Sequence, residues 1–345
     1  MRRALAAVIL ALPLAVPAGL AAQADFVTTR FELYLDALRR QAGIPGLSAV
    51  IVQDDRIAWE AGLGQQDLEA GIPVTPDTPF YIADLTSTLS ATLVLQCIEE
   101  GRTRFDQPVP LPPGSPAAVA TVRDLLRHSP APGAPFRYEP ARFASLTRVI
   151  EACTKDSFKE AIARRLLDRL AMTRSVPGQD VMTILPSDFG TEVLEKYDAV
   201  LRQVARPYRV DRRGRASLSQ YPAATLDAAS GLISTARDMA AFSIALDTRT
   251  LLREDTLAAA WSVPEGSAQT SLSLGWFVQV YNGQPVVWHF GYAPDASSAV
   301  FIHLPARHKT LILLANSDGL AAAFSLPNGD IMASPYARLF LSLFG

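Results

Sequence analysis

Apolar residues along this chain recur first at helical spacing, then at the two-residue spacing of strands. Phe31, Leu33, Leu35 and Leu38 give residues 26–43 a helical rhythm that ends at Gly43 and Pro45. The stretch LSAVIVQDDRIAWEAGLG then predicts two strands around an Asp54–Asp55 turn. A short apolar lead-in meets Asp84, and the apolar-periodic helix that follows closes with Glu99, Glu100 and Gly101, the last a natural C-terminal cap. Thr121 and Asp124 have capping-box spacing, and ARFASLTRVIEACT and DSFKEAIARRLLDRL read as amphipathic helices. Residues 205–222 are basic and turn-rich and predict a surface loop, whereas STARDMAAFSIAL predicts a helix opened by Ser234 or Thr235.

In the C-terminal third the period changes. LGWFVQVY, PVVWHFG, SSAVFIHL and KTLILLANS predict four strands, the first two joined by Asn282–Gly283, a strong hairpin signal, and YARLFLSLFG predicts a closing helix. A two-stranded ribbon is marginal alone, so the early hairpin is expected to pair with the late strands. The expected fold is α/β (α+β layered): an antiparallel sheet flanked by helices. Its sheet half comprises 25–80 and 225–345, with a helical subdomain inserted at about 81–224.

The first 24 residues stand apart. Arg2 and Arg3, an apolar core broken by Pro13 and Pro17, and the small residues AQA ending at Ala24 read as a signal peptide, so a periplasmic or secreted protein is expected, with no stable membrane anchor after its removal. The remainder suits one large domain or two intimately packed ones. Composition is that of a globular protein, 49% apolar and 19% charged with a net charge of −2; no basic run offers a nucleic-acid surface. With four scattered histidines and no paired spacing of ligands, neither a metal nor a cofactor is expected. Cys97 and Cys153 sit in apolar helical patterns, where a disulfide and two free thiols are both open readings.

The stretches TPFYIADLTSTLSATLVLQCIEEGRTRFDQPV, ATVRDLLRHS, PGAPFRY, DAASGLISTARDMAAF, LGWFV and WHFGYAPDASSAVFI resemble, in order and spacing, the serine β-lactamase and penicillin-binding-protein superfamily. The resemblance is to its class C β-lactamase, D-alanyl-D-alanine carboxypeptidase and esterase branch, and it covers nearly the whole chain after the leader. It implies a β-lactamase-type fold and three sets of groups: Ser-x-x-Lys at a helix start, Tyr-x-Asn on a loop, and Lys-Thr-Gly or His-x-Gly on a strand. By this resemblance Asp84 stands where the serine belongs and Ser87 where the lysine belongs. Tyr138 matches the phenol, Pro140 replaces the asparagine, and His289 with Gly291 completes the His-x-Gly form. The link between LLRHS and PGAPFRY, residues 129–135, is short, so an opened cleft is expected.

These substitutions argue against acyl transfer. A carboxylate nucleophile would form an anhydride that collapses back, and its charge would oppose the developing oxyanion. Asp84 is therefore expected to cap its helix, and Ser87 to be a small polar filler bonded to Asp84 or Tyr138, with no base to activate it. Tyr138 is expected to keep an ordinary phenol pKa and His289 to titrate near 6.5. His128 is placed at a helix C-terminus favourable to a cation, His303 and His308 beside a strand turn, and Trp276 and Trp288 in the sheet or cleft wall. The function expected is a pseudoenzyme binding a peptide, a cell-wall fragment or a protein partner through Asp84, Ser87, Tyr138 and His289. The alternative is an altered hydrolase of esters or amides using Asp84, His289 and water.

Overall fold

In the computed structural model, residues 18–115, 117–129, 136–183, 189–222, 225–263 and 270–345 are described, with side chains from residue 26 onward except at 270–272. Most of the expected leader, residues 1–17, lies outside that set, as does most of the 129–135 link. Helix α1 (Ala18–Gln41) begins before the expected cleavage point, and no described helix is long and apolar enough to cross a membrane.

Eight strands form one antiparallel sheet, in the order β10 (Thr270–Leu272), β11 (Phe277–Tyr281), β12 (Gln284–Ala293), β13 (Ser297–Leu304), β14 (Lys309–Ala315), β1 (Gly46–Gln53), β2 (Arg56–Asp67) and β3 (Ile72–Pro73). The expected pairing of early and late strands is found: Leu47 faces Ala315 and Gln53 faces Lys309. Both tight hairpins carry the turn residues their geometry requires. Asp54 and Asp55 join β1 to β2, and Asn282 and Gly283 join β11 to β12, all four at positive φ. Three two-stranded pieces lie outside the sheet: β4 (Phe80–Tyr81) with β9 (Ile233–Ser234), β5 (Pro108–Pro110) with β6 (Val119–Thr121), and β7 (Tyr208–Val210) with β8 (Ala216–Leu218). The last pair turns part of the expected 205–222 loop into a hairpin.

Both faces of the sheet are covered. On one, Phe31 and Leu35 of α1 and Phe340 of the closing helix (Pro335–Phe344) pack with Trp288 and Phe290. On the other, Leu89 and Leu93 of α2 (Thr86–Glu99) and Phe242 of helix Ala236–Asp247 pack with Trp276 and Phe301. Complete burial of side chains this large stabilises by roughly 1.5–3 kcal/mol each.

Helix α2 is buried on every side from Thr86 to Cys97 despite its hydroxyls. They are tolerated because each returns its proton to the preceding turn: Thr88 to the Leu85 carbonyl, Ser90 to Thr86 and Thr92 to Thr88. Gly101, at φ +69, terminates it as expected. Cys97 of α2 is disulfide-bonded to Cys153 of α5 (Leu146–Thr154), which closes the question left open by the sequence. The capping box at Thr121 and Asp124 and the Thr235 cap are both present.

Candidate active site

A sharp turn between β4 and α2 presents the first site residue. Ala83 adopts a left-handed conformation, φ +47, which costs a residue bearing a Cβ on the order of 1 kcal/mol. The turn is fastened from several sides. Ile82 N–H donates to Leu232 O, Thr86 Oγ1 donates to Ala83 O, and Leu232 N–H donates to Thr86 Oγ1. Strand β12 comes so close that a Cβ on Gly291 would lie 2.0 Å from the Ile82 carbonyl oxygen, so this position admits only glycine.

The expected N-cap role of Asp84 is not observed. Asp84 belongs to a short 3-10 turn, Ala83–Leu85; Leu85 precedes α2, and no side chain caps it. The extra turn carries the carboxyl away from the helix N–H groups and towards the Tyr138 phenol, which acts on its titration. Desolvation raises the Asp84 pKa to about 7, opposed by the Tyr138 hydrogen bond and assisted by the nearby charge of Asp227. Tyr138 does not keep an ordinary phenol pKa; burial and then the neighbouring Asp84 push it well above 10.0.

Ser87 also has partners other than those expected. Its Oγ lies 2.7 Å from the Asp84 backbone carbonyl oxygen and 3.0 Å from His289 Nε2. A potential base therefore does stand beside Ser87. Burial lowers its pKa to about 4, so His289 is a neutral imidazole at pH 7 and not the near-neutral titrating group expected. Its Nδ1 lies 2.8 Å from the Phe290 carbonyl oxygen and 2.9 Å from Phe290 N, so it donates in one tautomer and accepts in the other. Two proton arrangements fit these contacts: Nδ1–H to the Phe290 carbonyl with Ser87 O–H to Nε2, or Phe290 N–H to Nδ1 with Nε2–H to Ser87 Oγ and Ser87 O–H to the Asp84 carbonyl. In the first the imidazole accepts from the serine, as a general base does; in the second it donates to it.

The four side chains expected to converge do so. The Tyr138 ring is 6.2 Å from the His289 ring and 5.1 Å from that of Phe290; Asp84 neighbours it from the turn before α2, and Ser87 meets His289 from the first turn of α2. The opened cleft is not found at Ser87 and His289, which are 3% and 0% exposed, while Asp84 and Tyr138 keep part of their surface. Pro140 starts the short helix α4 (Pro140–Phe143) and supplies no amide side chain. His128 is not a helix-end cation: it is 3% exposed, stacks on Tyr138 at 4.7 Å and accepts from Glu139 N–H through Nδ1, with its pKa lowered by burial to about 3. His303, buried near the end of β13, and His308, just before β14, flank the turn between those strands as expected. Trp276 and Trp288 pack on opposite sheet faces.

One site residue escaped the sequence reading. Asp227, in the DAASG stretch, accepts from Ala229 and Ser230 N–H, and Ser230 in turn hydrogen-bonds Tyr81 on the segment leading to Asp84. The stretch was legible as part of the family pattern, but its proximity to Asp84 is a tertiary fact.

A family model described as Beta-lactamase matches residues 31–330. Protein flp of Staphylococcus aureus is 22% identical over 320 residues, covering 79% of this chain and 60% of that protein. Esterase EstB of Burkholderia gladioli is 27% identical over 121 residues, 33% of this chain and 31% of that protein. The chain thus spans less than two thirds of the length of these curated relatives. Among solved structures, the octameric penicillin-binding protein homologue from Pyrococcus abyssi superposes with a TM-score of 0.74 at 20% identity, covering 92% of this chain and 77% of that one. The class C beta lactamase from Rhodobacter sphaeroides gives 0.66 at 17% identity, covering 92% and 97%. At such identities the structures speak for the fold alone.

Proposed function

Because the chain belongs to the Beta-lactamase family, we propose that it keeps the family's scaffold without its acylation chemistry and acts as an exported, non-catalytic pseudoenzyme. Its ligand in this reading is a peptide, a cell-wall fragment or a protein partner, held against the exposed edges of Asp84 and Tyr138. One observation carries the proposal: a carboxyl beside Tyr138 and a buried serine hydroxyl, not a serine and a lysine, stand where the family resemblance expects the nucleophile and its amine. The leader-like pattern and the Cys97–Cys153 bond, which persists in oxidising compartments, support export.

The test is incubation of the full chain with a fluorescent penicillin and with a chromogenic ester. Neither covalent label nor turnover is expected, and either one sinks the reading. A second reading, an altered hydrolase, is favoured by the Asp84 pKa of about 7, which leaves this carboxyl able to accept or release a proton near neutrality. It requires ester turnover without a covalent intermediate that disappears in Asp84→Asn. His289, sealed and neutral, enters that reading as a strut rather than as the base.

A further inference from the structure

Helix α1 packs on the sheet through Phe31 and Leu35, both fully buried. The opposite side of a surface helix is ordinarily polar, because it faces water. On α1 that side carries Phe26, Leu33 and Tyr34, which are 66%, 68% and 49% exposed. Helical spacing sets Phe26, Arg30, Leu33, Ala37 and Arg40 along one face, with Tyr34 at its margin, over about 21 Å of helix. Three large apolar side chains on one helix face form a cluster, unlike the scattered single exposures of an ordinary surface.

The charges of this helix are sorted as well. Arg30 and Arg40 stand on the exposed face, and no exposed residue from Phe26 to Gln41 is acidic. The two acids of that stretch are held elsewhere: Glu32 accepts from Trp59 Nε1 at 3.2 Å, and Asp36 is shared by Arg39 and Arg40. Arg30 lies over the Tyr34 ring, its guanidinium carbon 5.5 Å from the centroid, and no ion pair joins it to a carboxylate among the described residues. The outward face is thus apolar along its middle and cationic without compensation.

We propose that the outward face of α1 docks on a bilayer surface of anionic lipid. Phe26, Leu33 and Tyr34 enter the boundary between headgroups and acyl chains, while Arg30 and Arg40 meet the lipid phosphates. A second copy of the chain fits less well, since a twofold axis would bring four arginines together with no exposed carboxylate from this face to balance them. The preceding sequence favours lipid too. Residues 4–21, ALAAVILALPLAVPAGLA, are the part of the chain suited to enter a bilayer, and α1 begins at their end, at Ala18. Cleavage after Ala24 would leave the face whole, because it starts at Phe26. No cleft residue takes part, so this attachment is independent of what the cleft binds.

The experiment uses the full chain with Leu33→Cys, labelled with an environment-sensitive fluorophore; the native cysteines are joined and buried, so the label is confined to residue 33. A control chain carries the label at Val119→Cys, a 52% exposed position beside Ala120 in the core of the opposite sheet face. Phosphatidylglycerol vesicles should brighten and blue-shift the label at 33 and leave the label at 119 unchanged. Phosphatidylcholine vesicles should need at least about tenfold more lipid for half the response, and Arg30→Glu with Arg40→Glu should impose a similar penalty on phosphatidylglycerol. Phe26→Cys supplies the same readout should a label at 33 unsettle the helix. A silent label at both positions, an equal response at 119, equal response to the two lipids, or no effect of the charge reversal overturns the proposal. A shift that grows with protein concentration in the absence of vesicles also overturns it, and assigns the face to a second copy.

Discussion

Ser87 Oγ lies 3.0 Å from His289 Nε2 although 202 positions separate the two residues. The contact joins the first turn of α2 to strand β12 in the interior, where both side chains are almost wholly shielded from water. A serine beside a histidine invites comparison with a nucleophile and its base. Sealed from substrate on both sides, the pair serves instead as a structural tie between helix and sheet.

Ser87→Ala tests that distinction. It leaves His289 Nε2 without its hydrogen-bond partner in a dry site, and urea denaturation should show a loss of about 1–3 kcal/mol. Any ester turnover of the parent should be unchanged. Selective loss of turnover with stability intact would make Ser87 a reactive group after all.

The Asp84 carboxyl binds its proton more tightly in the folded chain, pKa about 7, than at the ordinary value of 3.8. Its contribution to stability is therefore fully present below about pH 4 and is lost as pH rises through 7. Melting temperature should fall across that window, and Asp84→Asn should flatten the fall. Asp238, raised to about 6 by burial, adds a smaller slope of the same sign that the variant retains. A variant whose pH profile parallels that of the parent would contradict the Asp84 assignment.

Gly291→Ala places a methyl 2.0 Å from the Ile82 carbonyl oxygen, a backbone atom in a turn held on several sides. The expected loss is about 3 kcal/mol, at the upper end of what overpacking costs. The same change at Gly283, where a Cβ meets nothing within 4 Å, is a useful contrast, although φ +74 still imposes local strain there.

Reduction of Cys97–Cys153 opens a bridge between residues 56 apart. Removing that constraint on the unfolded chain should cost about 2–4 kcal/mol, read as a lower urea midpoint with reductant than without. Equal midpoints would mean that the two thiols are not joined in solution.

Asp84→Ser with Ser87→Lys returns a hydroxyl and an amine to one helical face. Slow covalent labelling by fluorescent penicillin is expected in the double variant, improved by Pro140→Asn, and none in the parent. Silence from a well-folded triple variant would show that the interior around His289 cannot admit a lysine, which would exclude a recently disarmed enzyme.

The large sheet was legible because its signals are local. The alternation in SSAVFIHL, the apolar run in KTLILLANS and the Asn282–Gly283 turn each act within a few residues, and they yielded β13, β14 and the β11–β12 hairpin. The site was legible only as a set of positions. Asp84 was read as a cap because aspartate before an apolar helix usually is one. The left-handed Ala83 inserts a turn that no propensity would predict, and the carboxyl swings to Tyr138. Burial likewise decided the protonation of His289 and His128, and burial follows from tertiary packing, as in the contact of His289 with Ser87. The cysteines remained ambiguous for the same reason, since only the docking of α5 on α2 brings them together.

Strand β1 pairs with β2 on one side and with β14 on the other, Leu47 opposite both Leu63 and Ala315. A ribosome makes the first of these contacts almost at once and the second only near the end of translation. Throughout that interval the hairpin carries an apolar, unpaired edge, Leu47 to Val52, open to any other extended segment. The helices between have time to collapse on α2, but they cannot close the sheet. Completion of the fold is therefore a late, long-range event, and the nascent hairpin is the part of this chain most exposed to mispairing before it occurs.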